Sequence, residues 1–202
     1  MIPWPVVCII MTGFEHKFSN LSQNPPTKGP VPVGYTPTKH QIICGDIDMR
    51  IDREGLWHYQ GSPIGRKELI RLFASVLHRD EVGDHWLITP AEICRITVDD
   101  SAFLAVEMNI ENDNDVQKIQ FRTNLDEIVI LDEHHPLWIK IDPDTEEPRP
   151  YIVLEGGFDA RLTRSVFYEL VDNGVEQSID REHIYGVWSN HSFFPIGKRL
   201  EE

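Results

Sequence analysis

The sequence predicts a strand-rich α+β protein made of two related units, each with a β-hairpin, a following helix and further strands. Short runs in which apolar and polar residues alternate, separated by turn residues, predict the strands. Two longer runs with apolar residues at helical spacing predict the helices. The segments DMRIDREGLW and WIKIDPDTEE share a basic residue and an isoleucine ahead of an Asp and a charged turn. This echo indicates that one structural unit is used twice.

Composition limits the classes of function. The chain has 202 residues and a formal net charge of −14, which predicts one or two domains with an acidic surface. Such a surface repels phosphate backbones, so neither nucleic acid nor an anionic membrane is predicted as a partner. The three cysteines lie far apart and form no C-x-x-C motif, which argues against a disulfide framework or a zinc knuckle. Reduced thiols predict a cytoplasmic location.

Residues 1–40 are predicted to form a flexible arm. The part from 24 to 37 is rich in proline and glycine, which disfavour helices and central strands. The apolar run at 6–11 is far shorter than the roughly 20 residues of a membrane-spanning helix, and no basic residue precedes it as in a signal peptide. Two interpretations stay open together: a disordered lead, and translation that begins at Met11.

The first unit is predicted at 41–126. The run DIDMRI alternates and predicts a strand, REG predicts a turn, and LWHY predicts the second strand of a hairpin. The run RKELIRLFASVLH, which starts at Arg66, predicts a helix with Phe73 on its apolar face. Four short strands are predicted to follow this helix, in the runs HWLITP, ICRITV, FLAVEMN and VQKIQFR.

The second unit is predicted at 127–202. The runs LWIKID and YIVLE predict a hairpin, and Asp159 is a good N-cap for a helix over ARLTRSVFYELVDN. Asn173 and Gly174 predict that this helix ends in the left-handed conformation. Phe167 then matches Phe73 of the first unit, and IYGVWS and FFPIG predict late strands. Chance similarity is the alternative to duplication, because units of hairpin plus helix are common.

No reactive or metal-ligating motif stands out. The adjacent His134 and His135 would point apart on a strand, and the chain has no H-E-x-x-H motif. No serine occupies a G-x-S-x-G elbow, and Cys44 lies near Asp46, which would raise the thiol pKa. A solvated strand edge explains Asp46 and Asp48 better than a general acid–base pair. The sequence therefore predicts no catalytic residue, no metal site and no cofactor.

Four segments, between Cys44 and Gly197, are long enough to be specific. They are CGDIDMRIDREGLWHYQGSPIGRKELIRLFASVL, WLITPAEICRITVDDSAFLAVEM, ARLTRSVFYELV and GVWSNHSFFPIG. They resemble the bacterial family known as domain of unknown function 1285. The resemblance implies a two-part fold with duplicated motifs, a second part superficially like a pleckstrin-homology domain, and a cytoplasmic protein without assigned activity. It also implies that a nucleotide-like ligand binds between the two parts in signalling.

The family motifs also imply ligand-binding residues. Arg164 would pair with a phosphate through two hydrogen bonds, and Trp188 would stack on a base. Glu92 would accept from ring or ribose donors, or would instead form a salt bridge with an arginine. The predicted function is therefore a regulatory protein that binds a small anionic, nucleotide-like ligand, with a protein–protein interaction scaffold as the alternative and an enzyme as the least supported class. The implied ligand-binding residues are Arg66, Glu92, Arg164, Tyr168, Trp188 and Ser189.

Overall fold

A computed structural model gives the fold and describes residues 29–114, 116–179 and 182–198. The chain divides into two compact units, Met1–Asp99 and Asp100–Glu202. Most of the predicted arm at 1–40 lies outside the described residues, and its described part, 29–40, contains turns at 33–34 and 39–40 and no helix or strand. Within the described residues, no helix is long and apolar enough to cross a membrane.

The first unit is built on a six-stranded sheet with the order β3-β2-β1-β6-β5-β4. The central pair, β1 and β6, is parallel, and the other neighbouring pairs are antiparallel. One helix, α1, lies between β3 and β4 in the chain. The elements are β1 Ile42–Ile51, β2 Trp57–Tyr59, β3 Ser62–Pro63, α1 Lys67–Ala74, β4 Leu77–Arg79, β5 His85–Ile88 and β6 Glu92–Val98.

The second unit contains a six-stranded sheet with the order β10-β11-β12-β7-β8-β9 and a three-stranded sheet with the order β13-β14-β15. The pair β12–β7 is parallel, and the rest are antiparallel. The elements are β7 Phe103–Asp113, β8 Val116–Thr123, β9 Ile128–Ile130, β10 Leu137–Ile141, β11 Pro148–Val153, a 3-10 turn Glu155–Gly157, β12 Asp159–Leu162, α2 Arg164–Asp172, β13 Val175–Ile179, β14 Glu182–Ser189 and β15 Ser192–Lys198.

The two six-stranded sheets share one topology. Each consists of two antiparallel meanders of three strands, and the first strand of the first meander pairs in parallel with the last strand of the second. The strand-rich α+β class with hairpin-and-helix units is therefore confirmed. The correspondence between the copies differs from the one that the sequence predicted, however. The hairpin β1–β2 corresponds to β7–β8, not to β10–β11, and α2 follows its sheet instead of interrupting it.

The pattern of Ile, Asp and a charged turn, which occurs twice in the sequence, has a local structural cause. The Asp52 carboxylate accepts the backbone N–H groups of Glu54 and Leu56, at 3.0 and 2.8 Å. The Asp142 carboxylate accepts those of Asp144 and Thr145, at 2.9 and 3.1 Å. Asp favours turns because its short side chain satisfies backbone donors a few residues ahead. The echo therefore marks one kind of hairpin turn used twice, at positions that do not correspond in the two sheets.

The boundary between the units falls earlier than the predicted one at 126/127. Strands β7 and β8, at 103–123, pair with β12 and β9 of the second sheet. Alternating apolar runs predict these strands but not their partners, because pairing depends on contacts distant in sequence. The strands therefore belong with the second unit.

Helix α1 packs on its hairpin but ends earlier than the sequence predicted. Phe73 is 3% exposed, and its ring lies stacked against Trp57 of β2 with 6.0 Å between the ring centroids. The helix stops at Ala74 because Leu77, which was predicted to continue it, is buried in β4 opposite Leu87 of β5.

Helix α2 begins later than predicted. Asp159–Leu162 form strand β12 beside β7, so the helix starts at Arg164, where it contacts β7 and β14. Its buried residues are Val166 and Leu170, whereas Phe167, the predicted counterpart of Phe73, is only half-buried.

The end of α2 also differs from the left-handed cap that was predicted. Asn173 has a φ of −94°, in the right-handed half of the map. Gly174 is needed there for a close approach, since a Cβ atom would lie 2.4 Å from the ring of Tyr185. That ring follows the helix closely, because its hydroxyl donates to the Val171 carbonyl at 2.7 Å.

Candidate functional site

Arg164 and Tyr168 form a contact at the start of α2. They lie one helical turn apart, a spacing that brings side chains together. The Nε of Arg164 donates to the Tyr168 hydroxyl at 2.8 Å, and the guanidinium carbon lies 5.4 Å from the centre of the tyrosine ring. This hydrogen bond raises the pKa of Arg164. The tyrosine is 52% exposed, so the pair faces solvent.

The surroundings of this pair favour negative charge. Thr163 occupies the N-cap without a side-chain cap hydrogen bond, and the first turn of α2 carries no acidic residue. The first N–H groups of a helix lack intrahelical partners and carry partial positive charge. An anion near Arg164 would therefore meet both a guanidinium and the positive end of a helix.

Arg164 differs from most other described arginines in having no carboxylate partner. Among the described residues, ion pairs with aspartate or glutamate neutralise at least five arginines. Among the described residues, Arg164 makes no ion pair and donates its one side-chain hydrogen bond to a neutral hydroxyl. Arg66, the N-cap of α1, is exposed and likewise makes no ion pair in that part of the chain. The neutralised arginines are Arg50, Arg95, Arg122, Arg149 and Arg161.

Glu92 lies in the first unit, at the start of β6, and is half-buried. Burial raises the pKa of its carboxyl group. Within the described residues it forms no salt bridge with an arginine, so that predicted alternative does not describe its surroundings. One of its carboxylate oxygens lies within 4.8 Å of the sulfur atoms of Cys44 and Cys94. These three side chains are the candidate metal ligands among the described residues.

Ser189 is buried, and its hydroxyl is hydrogen-bonded to the protein backbone. It is 1% exposed and lies at the end of β14. Its hydroxyl donates to the Leu131 carbonyl at 2.6 Å and accepts the Ile119 N–H at 3.0 Å. Both bonds are to the backbone of the neighbouring six-stranded sheet, so a ligand has no access to this hydroxyl.

Trp188 lies on the other face of β14, because side chains alternate along a strand. Tyr185 and Ser189 point to the inner face, where Tyr185 reaches α2. Trp188, 42% exposed, points outward and lies against Phe193 with 5.4 Å between ring centroids. The structure thus brings Arg164 and Tyr168 together but leaves Trp188 on the opposite side of the sheet.

A polar depression in the first unit was not anticipated from the sequence. It has a volume of about 550 Å³. Its polar groups are largely paired internally: Arg50 Nε donates to Asp99 at 2.8 Å, and His58 Nε2 lies 2.7 Å from an Asp52 carboxylate oxygen. The ion pair with Arg50 lowers the pKa of Asp99. The lining residues are Arg50, Asp52, Arg53, Glu54, His58 and Asp99, which include no serine, threonine or cysteine nucleophile.

A pattern in the sequence indicates only part of the cluster of Cys44, Glu92 and Cys94. Glu92 and Cys94 are two positions apart, a spacing that places both on one face of a strand. The approach of Cys44 to them requires the parallel pairing of β1 with β6, which no local pattern reveals.

Two family models match nearly the whole described chain. The model described as "Domain of unknown function (DUF1285), N-terminal domain" matches residues 36–101. The model described as "Protein of unknown function (DUF1285), C-terminal domain" matches residues 102–196. The chain belongs to the DUF1285 family. The two matches meet next to the structural boundary after Asp99.

Solved structures of DUF1285 proteins resemble this chain. A DUF1285 family protein from Silicibacter pomeroyi DSS-3 is 39% identical, with a TM-score of 0.71, over 85% of this chain and 90% of that chain. A DUF1285 family protein from Shewanella baltica OS155 is 25% identical, with a TM-score of 0.49, over 62% of this chain and 91% of that chain. A search of curated proteins found no match.

Proposed function

We propose that this DUF1285 protein is a cytoplasmic regulatory protein that binds a small anionic, nucleotide-like ligand through Arg164. The observation that carries the proposal is the guanidinium of Arg164, which forms no ion pair among the described residues; the charge of Glu147 acts on it only as a smaller contribution to its raised pKa. The chain has 33 acidic against 19 basic Lys and Arg residues. In such a protein nearby carboxylates readily neutralise an exposed arginine, so an unpaired arginine is a surplus cation available to a ligand.

The geometry of Arg164 suits phosphate. Arginine has five N–H donors, and Tyr168 takes only the one on Nε. The terminal nitrogens remain to donate two parallel hydrogen bonds to a phosphate or carboxylate. The tyrosine limits the motion of the guanidinium, which reduces the entropy lost on binding.

Tyr168, rather than Trp188, supplies the aromatic contact in this proposal. It already touches Arg164, whereas Trp188 lies on the far side of the three-stranded sheet. Its exposed ring offers a surface on which a base can stack, an interaction of about 1–3 kcal/mol per base.

Isothermal titration calorimetry with mono-, di- and cyclic nucleotides tests the proposal. We expect one of these nucleotide classes to bind and Arg164→Gln to weaken that binding at least tenfold. Arg164→Lys should restore only part of the affinity, since lysine keeps the positive charge but lacks the paired N–H donors of the guanidinium. Arg122→Gln is the matched control, because Arg122 is a half-buried arginine of the same unit already paired with Glu107 and Asp126. Equal affinities for Arg164→Gln and the wild type would rule out this site.

A scaffold function has one observation in its favour. The outer face of the three-stranded sheet carries exposed apolar side chains, and exposed apolar patches often mark protein interfaces. If no nucleotide produces heat, a partner for this face becomes the better explanation. The side chains are Val175, Ile179 and Trp188, which lie on the same face because Val175 pairs with Gly186, two positions before Trp188.

A further inference from the structure

A β-bulge brings two cysteines together at the centre of the first sheet. In the parallel pair β1–β6, Ile43 lies opposite Ile93 and Gly45 lies opposite Cys94. Cys44 is therefore an extra residue, and both it and Gly45 oppose Cys94. Gly45 has a φ of +69°, a conformation that glycine adopts without strain and that bulges often use. The bulge is thus encoded in the sequence Ile-Cys-Gly.

Glu92 adds a carboxylate to the two thiols. It precedes Cys94 by two residues on β6, so both side chains leave the same face of the strand. One donor atom from each of Cys44, Glu92 and Cys94 lies within 4.8 Å of the other two. Two strands of a parallel pair therefore converge on a set of two sulfurs and one oxygen.

We propose that Cys44, Cys94 and Glu92 bind a zinc ion, with the fourth coordination position open to water. Zinc takes thiolate and carboxylate ligands, and sites with three protein ligands keep a fourth position for water or substrate. The thiolates select against magnesium and calcium, which prefer oxygen ligands. In a tetrahedral zinc site with Zn–S bonds of about 2.3 Å, the two sulfur atoms lie roughly 3.8 Å apart. Small rotations of the cysteine side chains therefore suffice to bring the sulfurs to the distance that zinc requires.

The burial of the cluster fits an open metal site. Cys94 is buried, while Cys44 and Glu92 are half-buried, so the cluster is only partly shielded from solvent. Water can reach a metal there without displacing the core. Within the described residues, the Glu92 carboxylate makes no ion pair, and a bound cation would supply the missing positive charge.

The carboxylate distinguishes this proposal from a redox-active thiol pair. A disulfide between Cys44 and Cys94 would use neither Glu92 nor the opening to solvent. A metal ion uses all three donors. The proposal is also independent of the anion site at Arg164, because its test uses a metal ion alone.

Cobalt titration of the full-length, reduced protein is the first experiment. Co²⁺ occupies zinc sites and has two useful absorption signals. Sulfur-to-cobalt charge-transfer absorption reports thiolate ligands, and intense visible bands report tetrahedral geometry. We expect both signals at one ion per chain, displaced by Zn²⁺. Cys44→Ser and Cys94→Ser should each lower the charge-transfer band to about half its intensity or less, and each should weaken zinc binding by more than the roughly 10–100-fold typical of second-shell changes. Glu92→Gln should weaken it at least tenfold and keep the sulfur signal.

Two variants serve as matched controls: Cys8→Ser removes the third cysteine, and Asp48→Asn removes an exposed carboxylate of β1. Both should bind zinc as the wild type does. The proposal is overturned if the wild type shows no charge-transfer band, or if that band keeps its full intensity in both Cys44→Ser and Cys94→Ser.

Thiol alkylation covers the case in which a cysteine variant fails to fold. In the wild-type protein, Zn²⁺ should slow the reaction of Cys44 with iodoacetamide at least tenfold, while Cys8 serves as the internal control. Mass spectrometry of peptides identifies each alkylated thiol. Equal rates of Cys44 alkylation with and without Zn²⁺ would overturn the proposal. A protein that forms a Cys44–Cys94 disulfide and binds no zinc once this disulfide is reduced would also overturn it.

Discussion

Ser189 provides the sharpest test of how the second unit is held together. In a regular antiparallel ladder, Ile119 of β8 and Leu131, the residue after β9, would exchange two backbone hydrogen bonds. One of these forms: Leu131 N–H donates to the Ile119 carbonyl at 2.8 Å. The other is replaced, because the Ser189 hydroxyl accepts the Ile119 N–H at 3.0 Å and donates to the Leu131 carbonyl at 2.6 Å. The hydroxyl thus links the three-stranded sheet to the six-stranded sheet.

Ser189→Ala should therefore destabilise the second unit by about 2–4 kcal/mol. The lost bond to the Leu131 carbonyl has a net contribution of roughly 0.5–1.5 kcal/mol. The Ile119 N–H is then left without a partner at a fully buried residue, and such a donor costs about 1–3 kcal/mol. The methyl group of alanine cannot replace either bond.

Urea unfolding followed by tryptophan fluorescence and far-UV circular dichroism measures the effect. Ser192→Ala is the matched control, because Ser192 pairs with Ser189 on β15 but donates to Glu133 at the surface, at 3.1 Å. We expect the control to lie within about 0.5 kcal/mol of the wild type. Equal midpoints for the two alanine variants would refute the structural role. A loss of ligand affinity without loss of stability would restore Ser189 as a binding residue.

Two further predictions concern the first unit. Phe73→Ala should lower the free energy of unfolding by about 3–5 kcal/mol, whereas Leu72→Ala, at a neighbouring side chain that is 37% exposed, should cost much less; similar denaturation midpoints would show that Phe73 is not core. Asp80→Asn should also destabilise. Burial opposes ionisation of Asp80, but hydrogen bonds from Trp86 Nε1 and the Asp84 N–H outweigh it and lower its pKa. The stability that ionised Asp80 contributes is fully present above the unfolded pKa of about 3.9 and is lost as pH falls through the lower folded pKa. The difference in free energy of unfolding between the wild type and Asp80→Asn should therefore narrow below about pH 4. A gap that stays constant down to acid unfolding would contradict this.

The sequence predicted the strands that carry their own alternating pattern. Strands β5 to β8 overlap the runs that were predicted, since their apolar residues recur at the strand period, although β7 continues to Asp113, beyond its predicted run. The short strands β3, β4, β9, β12 and β13 were missed. Asp159–Leu162 shows why: its residues suit a helix locally, but pairing with β7 holds them extended. Tertiary contacts of this kind override local propensity.

The candidate site was predictable to a smaller degree. Arg164 and Tyr168 lie at helical spacing, so their contact follows from the predicted helix. The burial of Ser189 and the approach of Cys44 to Cys94 follow from the sheets, and sheet pairing is not readable from one strand alone. The residues implied by the family motifs include both side chains that face solvent, such as Trp188, and side chains that join the sheets, such as Ser189.

The shared topology of the two sheets leads to a last prediction, about fragments of the chain. Every strand of the first sheet comes from residues before 100, and every strand of the second comes from residues after 100. Each half therefore contains all the backbone partners of its own sheet, and we expect the fragments 1–99 and 100–202 each to give a dispersed NMR spectrum. The fragments 1–126 and 127–202, cut at the boundary that the sequence predicted, are the matched control. The second of these lacks β7 and β8, so β12 and β9 lose their partners, and the buried Phe121 and Ile119 are removed from the core. A well-folded 127–202 fragment, or a collapsed 100–202 fragment, would contradict the assignment of β7 and β8 to the second unit.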